Sequence, residues 1–234
     1  MTTVGIIGAG SFGNFLSDQL SSHFEVLTFN REKISNEKLS LVRKCKWLIV
    51  SIPLSSYDDV LIKIKSEISP DTIIIDVCSV KIAPEKIYSY ILPNQQVVLT
   101  HPLFGPDSAK KSVSGHRLIL CPQDSNSLNI EENKVKVFCE SIGVEVVVMS
   151  TVEHDKLMAK LQGLTFFIAR ALDIYGVSEL SVSTPSYSKL LDLAKLDKKQ
   201  SDALFKTIED GNPFSKEERE KFIKIAKEIN KNLE

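Results

Sequence analysis

The chain has no excess of either charge: 29 lysines and arginines stand against 30 aspartates and glutamates. Without a basic surplus, neither a nucleic acid nor an anionic membrane surface is an expected partner. No apolar run approaches the roughly 20 residues that span a bilayer. Strand-like sequence begins so close to Met1 that no signal peptide is expected. Cysteine is sparse, and Cys45, Cys78, Cys121 and Cys139 form no C-x-x-C pair. Buried thiols in a reducing, cytoplasmic setting are the expectation. His23, His101, His116 and His154 are equally dispersed, so no metal-ligand cluster is expected. No internal repeat or low-complexity tail is visible.

Glycine is concentrated where it matters most. Val4 to Gly13 reads VGIIGAGSFG, with Gly8, Gly10 and Gly13 at the G-x-G-x-x-G spacing. A short β-branched run precedes these glycines. Phe12, Phe15, Leu16 and Leu20 follow at helical intervals, so the order is strand, glycine turn, helix. In such a unit Gly8 makes the tight turn, Gly10 lets a pyrophosphate approach the backbone, and Gly13 lets the helix pack on the strand. The helix start at Ser11, Phe12 and Gly13 offers N–H groups and partial positive charge to phosphates.

Further strands are expected at Glu25 to Asn30, Trp47 to Ile52, Thr72 to Asp76, Val97 to His101, His116 to Cys121 and Glu145 to Met149. Helical stripes lie between most of them, at Val60, Leu61, Ile64 and Ile68, at Ile82 to Ile91, and at Val135, Phe138, Cys139 and Ile142. Alternation of this kind implies a mostly parallel Rossmann-type sheet covered on both faces. Phe104 to Gly115 is rich in Pro, Gly and Ser and too short for a full crossover, so the last strands are expected to depart from simple alternation. After Thr151 the pattern is helical only. Leu157, Leu161, Leu164, Ile168 and Leu172 describe one long helix with an acidic start capped at Thr151, with Glu153 and Asp155 in its first turn. Further helices are expected at Tyr187 to Leu196, Ala203 to Ile208 and along Phe222, Ile223, Ala226 and Ile229. The expected division is a dinucleotide-binding domain over 1–150 and a small helical domain over 151–234. So small a helical array has little core of its own, and a homodimer through it would complete one.

The second strand ends in Asn30-Arg31, where the fingerprint looks for the acid that binds the ribose of NAD. A carboxylate would repel the 2′-phosphate of NADP. Asn30 would not, and Arg31 could pair with it in a bidentate way, so NADP is the expected cofactor. Ser51, Ile52 and Pro53 after the third strand, and Asp76 at the end of the fourth, complete the expected cofactor contacts. Two clusters follow strand ends, Asp76 to Lys81 (DVCSVK) and Thr100 to Ser108 (THPLFGPDS). A histidine such as His101, facing a nicotinamide, is a natural general base for a leaving hydroxyl proton, although the same placement suits a structural histidine. Ser79 could orient it or bond a substrate hydroxyl.

The motifs VGIIGAGSFG, DVCSVK, THPLFGPDSAK and EHDKLMAKLQGLTFF (Glu153 to Phe167) resemble the prephenate/arogenate dehydrogenases of tyrosine biosynthesis. The likeness runs to about Ala171 and continues weakly through Ser183 to Tyr187. It implies oxidative decarboxylation of a small cyclohexadienol, with hydride leaving the hydroxyl-bearing ring carbon, CO2 lost and the ring aromatised. It also implies that His101 is the catalytic histidine and Ser79 its partner. Further substrate contacts are expected at Asp107, six positions beyond His101 in the same loop, and at Gln162, Thr165 and Lys195. Two features depart from the family pattern. Phe166 stands where many relatives carry a histidine, and no arginine lies between Arg170 and Arg219, with Lys189 and Lys195 nearest the expected place. These departures keep two alternatives open: an NADP-dependent reductase of another small acid, and a dinucleotide-binding sensor without turnover. Asp107 has two readings as well, a carboxylate that attracts the ammonium of arogenate or a cap for a short helix. His154 and Asp155 are expected to anchor the long helix.

Overall fold

The computed structural model describes residues 1–30, 40–124 and 127–233. They divide into two compact units, Met1–His154 and Asp155–Glu234. The first is built on a seven-stranded sheet: β1 (Thr3–Ile7), β2 (Glu25–Phe29), β3 (Trp47–Val50), β4 (Ile73–Asp76), β5 (Gln96–Pro102), β6 (Arg117–Cys121) and β7 (Glu145–Val148), in the order β2-β1-β3-β4-β5-β6-β7. Helices α1 (Ser11–Leu20), α2 (Tyr57–Ile64), α3 (Ile82–Ile91) and α4 (Ile130–Ser141) belong to the same unit.

The inner strands are apolar on both faces because a parallel sheet is covered on both sides. Val4, Ile6, Ile49, Ile75, Val98 and Leu120 are buried in one core with Phe15, Leu16 and Leu20 of α1 and Val135 and Cys139 of α4. Phe24, Trp47 and Phe138 pack edge to face or tilted at its margin, with ring centroids 4.9 to 5.5 Å apart. All strand pairs are parallel except β5 with β6, where Thr100 faces Leu120 and His101 faces Ile119 in antiparallel register. That is the departure expected from the short segment after Phe104, since an antiparallel neighbour needs no crossover helix. Helix α4 then crosses back to lay β7 parallel to β6. It starts in a capping box, with Asn129 accepting from the N–H groups of Glu131 and Glu132 and Glu132 accepting from the Asn129 N–H.

The remaining helices are α5 (Thr151–Met158), α6 (Leu164–Tyr175), α7 (Pro185–Lys199), α8 (Asp202–Asp210) and α9 (Ser215–Lys231). The single long helix expected over Leu157 to Leu172 is interrupted by a π-helical turn at Ala159–Gly163. A side chain on Gly163 would place its Cβ 2.9 Å from Ser215 Oγ, so the glycine admits the start of α9 at this turn. The start of α5 also differs from expectation. Ser150, not Thr151, accepts from the Glu153 N–H (3.2 Å), and the Glu153 carboxylate accepts from the Ser150 N–H (2.9 Å). No helix among the described residues is long and apolar enough to cross a membrane.

Candidate active site

The register of the parallel strands sets the site. Ile7 pairs with Phe29 and Val50, Val50 with Asp76, and Asp76 with Leu99. Gly8, Asn30, Ser51, Val77 and Thr100 therefore stand level along the carboxyl edge of the sheet. The strand order reverses at β1, which is where open α/β sheets bind their ligands.

Two of the three glycines are fixed by close approach. Gly8 has φ +116°, and a Cβ there would lie 1.9 Å from the Ser51 carbonyl oxygen. A Cβ on Gly13 would lie 1.8 Å from the Gly8 carbonyl oxygen. Gly10 differs, because nothing lies within 4 Å of where its Cβ would be. It is the N-cap of α1 and no side chain caps the helix. Open space over Gly10, beside the first N–H groups of a helix, fits a pyrophosphate. Ser11 is exposed, Phe12 half-buried, Ser51 and Pro53 half-buried and Ile52 buried. Asn30 is exposed just past β2, while Arg31 lies outside the described residues.

Asp76 stands at the centre of a buried polar network. It is expected among the cofactor contacts, and its side chain is wholly enclosed. Its carboxylate accepts from the Tyr57 hydroxyl (2.6 Å), the Tyr88 hydroxyl (3.3 Å) and the Cys78 N–H (3.2 Å), and pairs with the buried Lys81 ammonium. Lys81 also donates to the Thr100 carbonyl at 2.6 Å, and the Thr100 hydroxyl donates to the Asp76 carbonyl at 2.7 Å. A buried charge needs partners of this kind. The network ties the end of β4, which leads to Ser79, to the end of β5, which carries His101. Burial, then the Asp76 charge, raises the Tyr57 and Tyr88 hydroxyls well above their ordinary range and Cys78 to about 11. Burial also lifts Cys45 to about 11 and Cys139 to about 12, so none of these three is a ready thiolate.

His101 is 3% exposed. Its Nδ1 lies 2.9 Å from Nε2 of His154, the two rings inclined at 65°. The sequence offered His154 only as a helix anchor; the structure sets it against His101. Burial first, then His154 and Lys81, holds the His101 imidazole well below 6.5, so the ring is neutral near pH 7. Ser79 is half-buried beyond the adjacent strand end. Asp107 is exposed in a turn closed by the Ala109 N–H on the Gly105 carbonyl (2.9 Å). No helix begins there, so the capping reading of Asp107 fails.

The other expected contacts belong to the second unit. Gln162 lies half-buried in the π-helical turn, and Thr165 and Phe166 are half-buried on α6. Lys195 is paired with Glu179 at 3.2 Å. Both flanking arginines are engaged. Arg170 bonds Asp197 and Asp202, each at 2.9 Å, and stacks over Phe205; Arg219 bonds the Glu209 carboxylate and, at 3.1 Å, its carbonyl. No group of three or more metal-ligating side chains is found among the described residues.

The nucleotide-binding domain of the prephenate dehydrogenase family matches residues 22–148. The chain is 27% identical to arogenate dehydrogenase 2 of Arabidopsis thaliana, covering 98% of this chain and 69% of that protein. It is also 27% identical to a probable arogenate/prephenate dehydrogenase of Methanocaldococcus jannaschii, covering 84% of this chain but only 46% of that protein. In fold it is similar to a putative prephenate dehydrogenase of Corynebacterium glutamicum (TM-score 0.78, 19% identity, 99% of this chain and 82% of that one). It is likewise similar to prephenate dehydrogenase from A. aeolicus in complex with hydroxyphenyl propionate and NAD+ (TM-score 0.74, 20% identity, 99% and 91%).

Proposed function

The chain belongs to the prephenate dehydrogenase family, and on that premise we propose that it oxidises arogenate, or its keto-acid counterpart prephenate, with NADP in tyrosine biosynthesis. The observation that carries the reading is His101, enclosed, neutral and held by a second imidazole at the carboxyl end of β5. Its Nε2 accepts the proton of the ring hydroxyl as hydride leaves the same carbon. A bound nicotinamide supplies the hydride acceptor. The ring carboxylate departs as CO2, and its bonding pair completes the aromatic ring. Ser79 holds the hydroxyl against His101, from the loop that the Asp76–Lys81 pair fixes.

Asn30 and Arg31 support NADP, because neither repels a 2′-phosphate and a guanidinium binds one. Asp107 supports arogenate: its exposed carboxylate caps no helix and attracts an ammonium while repelling a second carboxylate. The exposed apolar residues of α9 support a homodimer through the second unit, and the buried thiols fit a reducing cytoplasm. The direct test is absorbance of reduced nicotinamide with arogenate, with prephenate and with neither, each with NADP and with NAD. Arogenate with NADP is expected to give the fastest reduction. No reduction with either substrate overturns the assignment.

A further inference from the structure

His154 approaches His101 with a ring nitrogen 2.9 Å from Nδ1, and both side chains are buried. At that distance the two rings must be complementary, one presenting N–H and the other a lone pair. Two arrangements satisfy this. In one, His101 donates from Nδ1 to His154 Nε2, which leaves the lone pair of His101 on Nε2. In the other, His154 donates, and His101 Nε2 carries the proton. Only the first lets His101 take up a proton at Nε2 without losing the bond. The resulting imidazolium still donates from Nδ1, and a charge-assisted bond is shorter and stronger than the neutral one.

We propose that His154 is a positioning residue for His101, accepting from Nδ1 so that Nε2 is the basic nitrogen, and receiving a strengthened bond once that nitrogen is protonated. The proposal rests on the reading of His101 as the base. The geometry around His154 suits this task. It is the fourth residue of α5, whose first turn is held by Ser150 and Glu153, and the Thr151 hydroxyl donates to Glu85 of α3 at 3.0 Å. The carboxylate at the neighbouring strand end, Asp76, is paired with Lys81. An imidazole orients His101 without placing a negative charge on it, and so without favouring its protonated form before the reaction.

Nitrogen NMR of histidine-labelled protein reads the tautomers directly, and four histidines are few enough to assign by single substitution. The wild-type chain is expected to show His101 protonated on Nδ1. His154→Gln, whose amide oxygen can accept the same bond, is expected to keep that tautomer and most of the turnover. His154→Phe removes the acceptor at similar volume. Its His101 is expected to shift towards Nε2–H, with kcat down by about 10- to 100-fold and little change in KM, the size of loss seen when a partner that fixes a metal-ligating histidine's tautomer is removed. A wild-type His101 protonated on Nε2 overturns the proposal, as does a His154→Phe protein with unchanged tautomer and kcat. Should His154→Phe not fold, the wild-type and His154→Gln spectra decide. The tautomer reading needs no turnover. A chain that reduces neither substrate therefore ends the proposed function and leaves this inference to stand or fall on the spectra.

Discussion

Strand β4 of the first unit buries all of Ile73 to Asp76, whereas the 17-residue helix α9 of the second buries only Ser215. The strand lies in a sheet with side chains packed on both faces, so each residue finds apolar neighbours or a polar partner. The helix carries Phe222, Ile223, Ile225 and Ile229 at 37 to 57% exposure. Both segments are regular, yet one draws its stability from its own fold and the other shows an apolar surface to solvent. The buried polar groups follow the same division: the enclosed histidine pair and the enclosed Asp76–Lys81 pair both lie in the unit with the continuous core.

The strongest test of that division is His101→Asn. Turnover is expected to fall by about 10²–10⁴ while NADP binding persists, the loss typical of a removed general base. Retention of most activity would take His101 out of the reaction. The same variant tests burial. Native His101 resists protonation well below 6.5, while the unfolded chain takes up that proton near 6.5. The unfolded state thus binds more protons in this window, and stability falls as pH drops below about 6.5. Denaturant melts of His101→Asn are expected to show a flatter acid dependence than those of the wild type.

Core packing separates the units next. Leu120→Ala on β6 removes a fully buried side chain and is expected to cost about 2–5 kcal/mol in urea unfolding. Ile229→Ala, 57% exposed, is expected to stay within about 0.5 kcal/mol. If Ile229→Ala costs as much as Leu120→Ala, that face is covered in solution, and the melting temperature will rise with protein concentration.

Among the expected losses of function, the smaller one concerns the cofactor. Arg31→Ala is expected to raise KM for NADP about tenfold or more, equivalent to 1.4 kcal/mol, and to leave KM for NAD nearly unchanged. Equal effects on both cofactors would remove Arg31 from the 2′-phosphate.

The amino-acid sequence by itself determined the strand–glycine–helix opening, the alternating sheet and the change to helices after Thr151, because glycine spacing and apolar periodicity are local quantities. It also signalled that the last strands would depart from simple alternation, since the segment after Phe104 is too short to cross over; that the departure is an antiparallel β6 came from the fold. Only the tertiary structure decided which polar groups meet. His154 lies 53 residues from His101 in sequence, and no periodicity relates them; the sheet edge and the start of α5 bring them to 2.9 Å. Asp76 reads as one more polar residue at a strand end, yet Tyr57, Tyr88 and Lys81, drawn from three separate positions, enclose it. Likewise, Gly163 in the turn at Ala159–Gly163 lies against Ser215, a residue of another helix. Local pattern fixes which face of each element is apolar. A buried polar group must instead find a partner wherever the fold supplies one, and that partner is known only when the elements have packed.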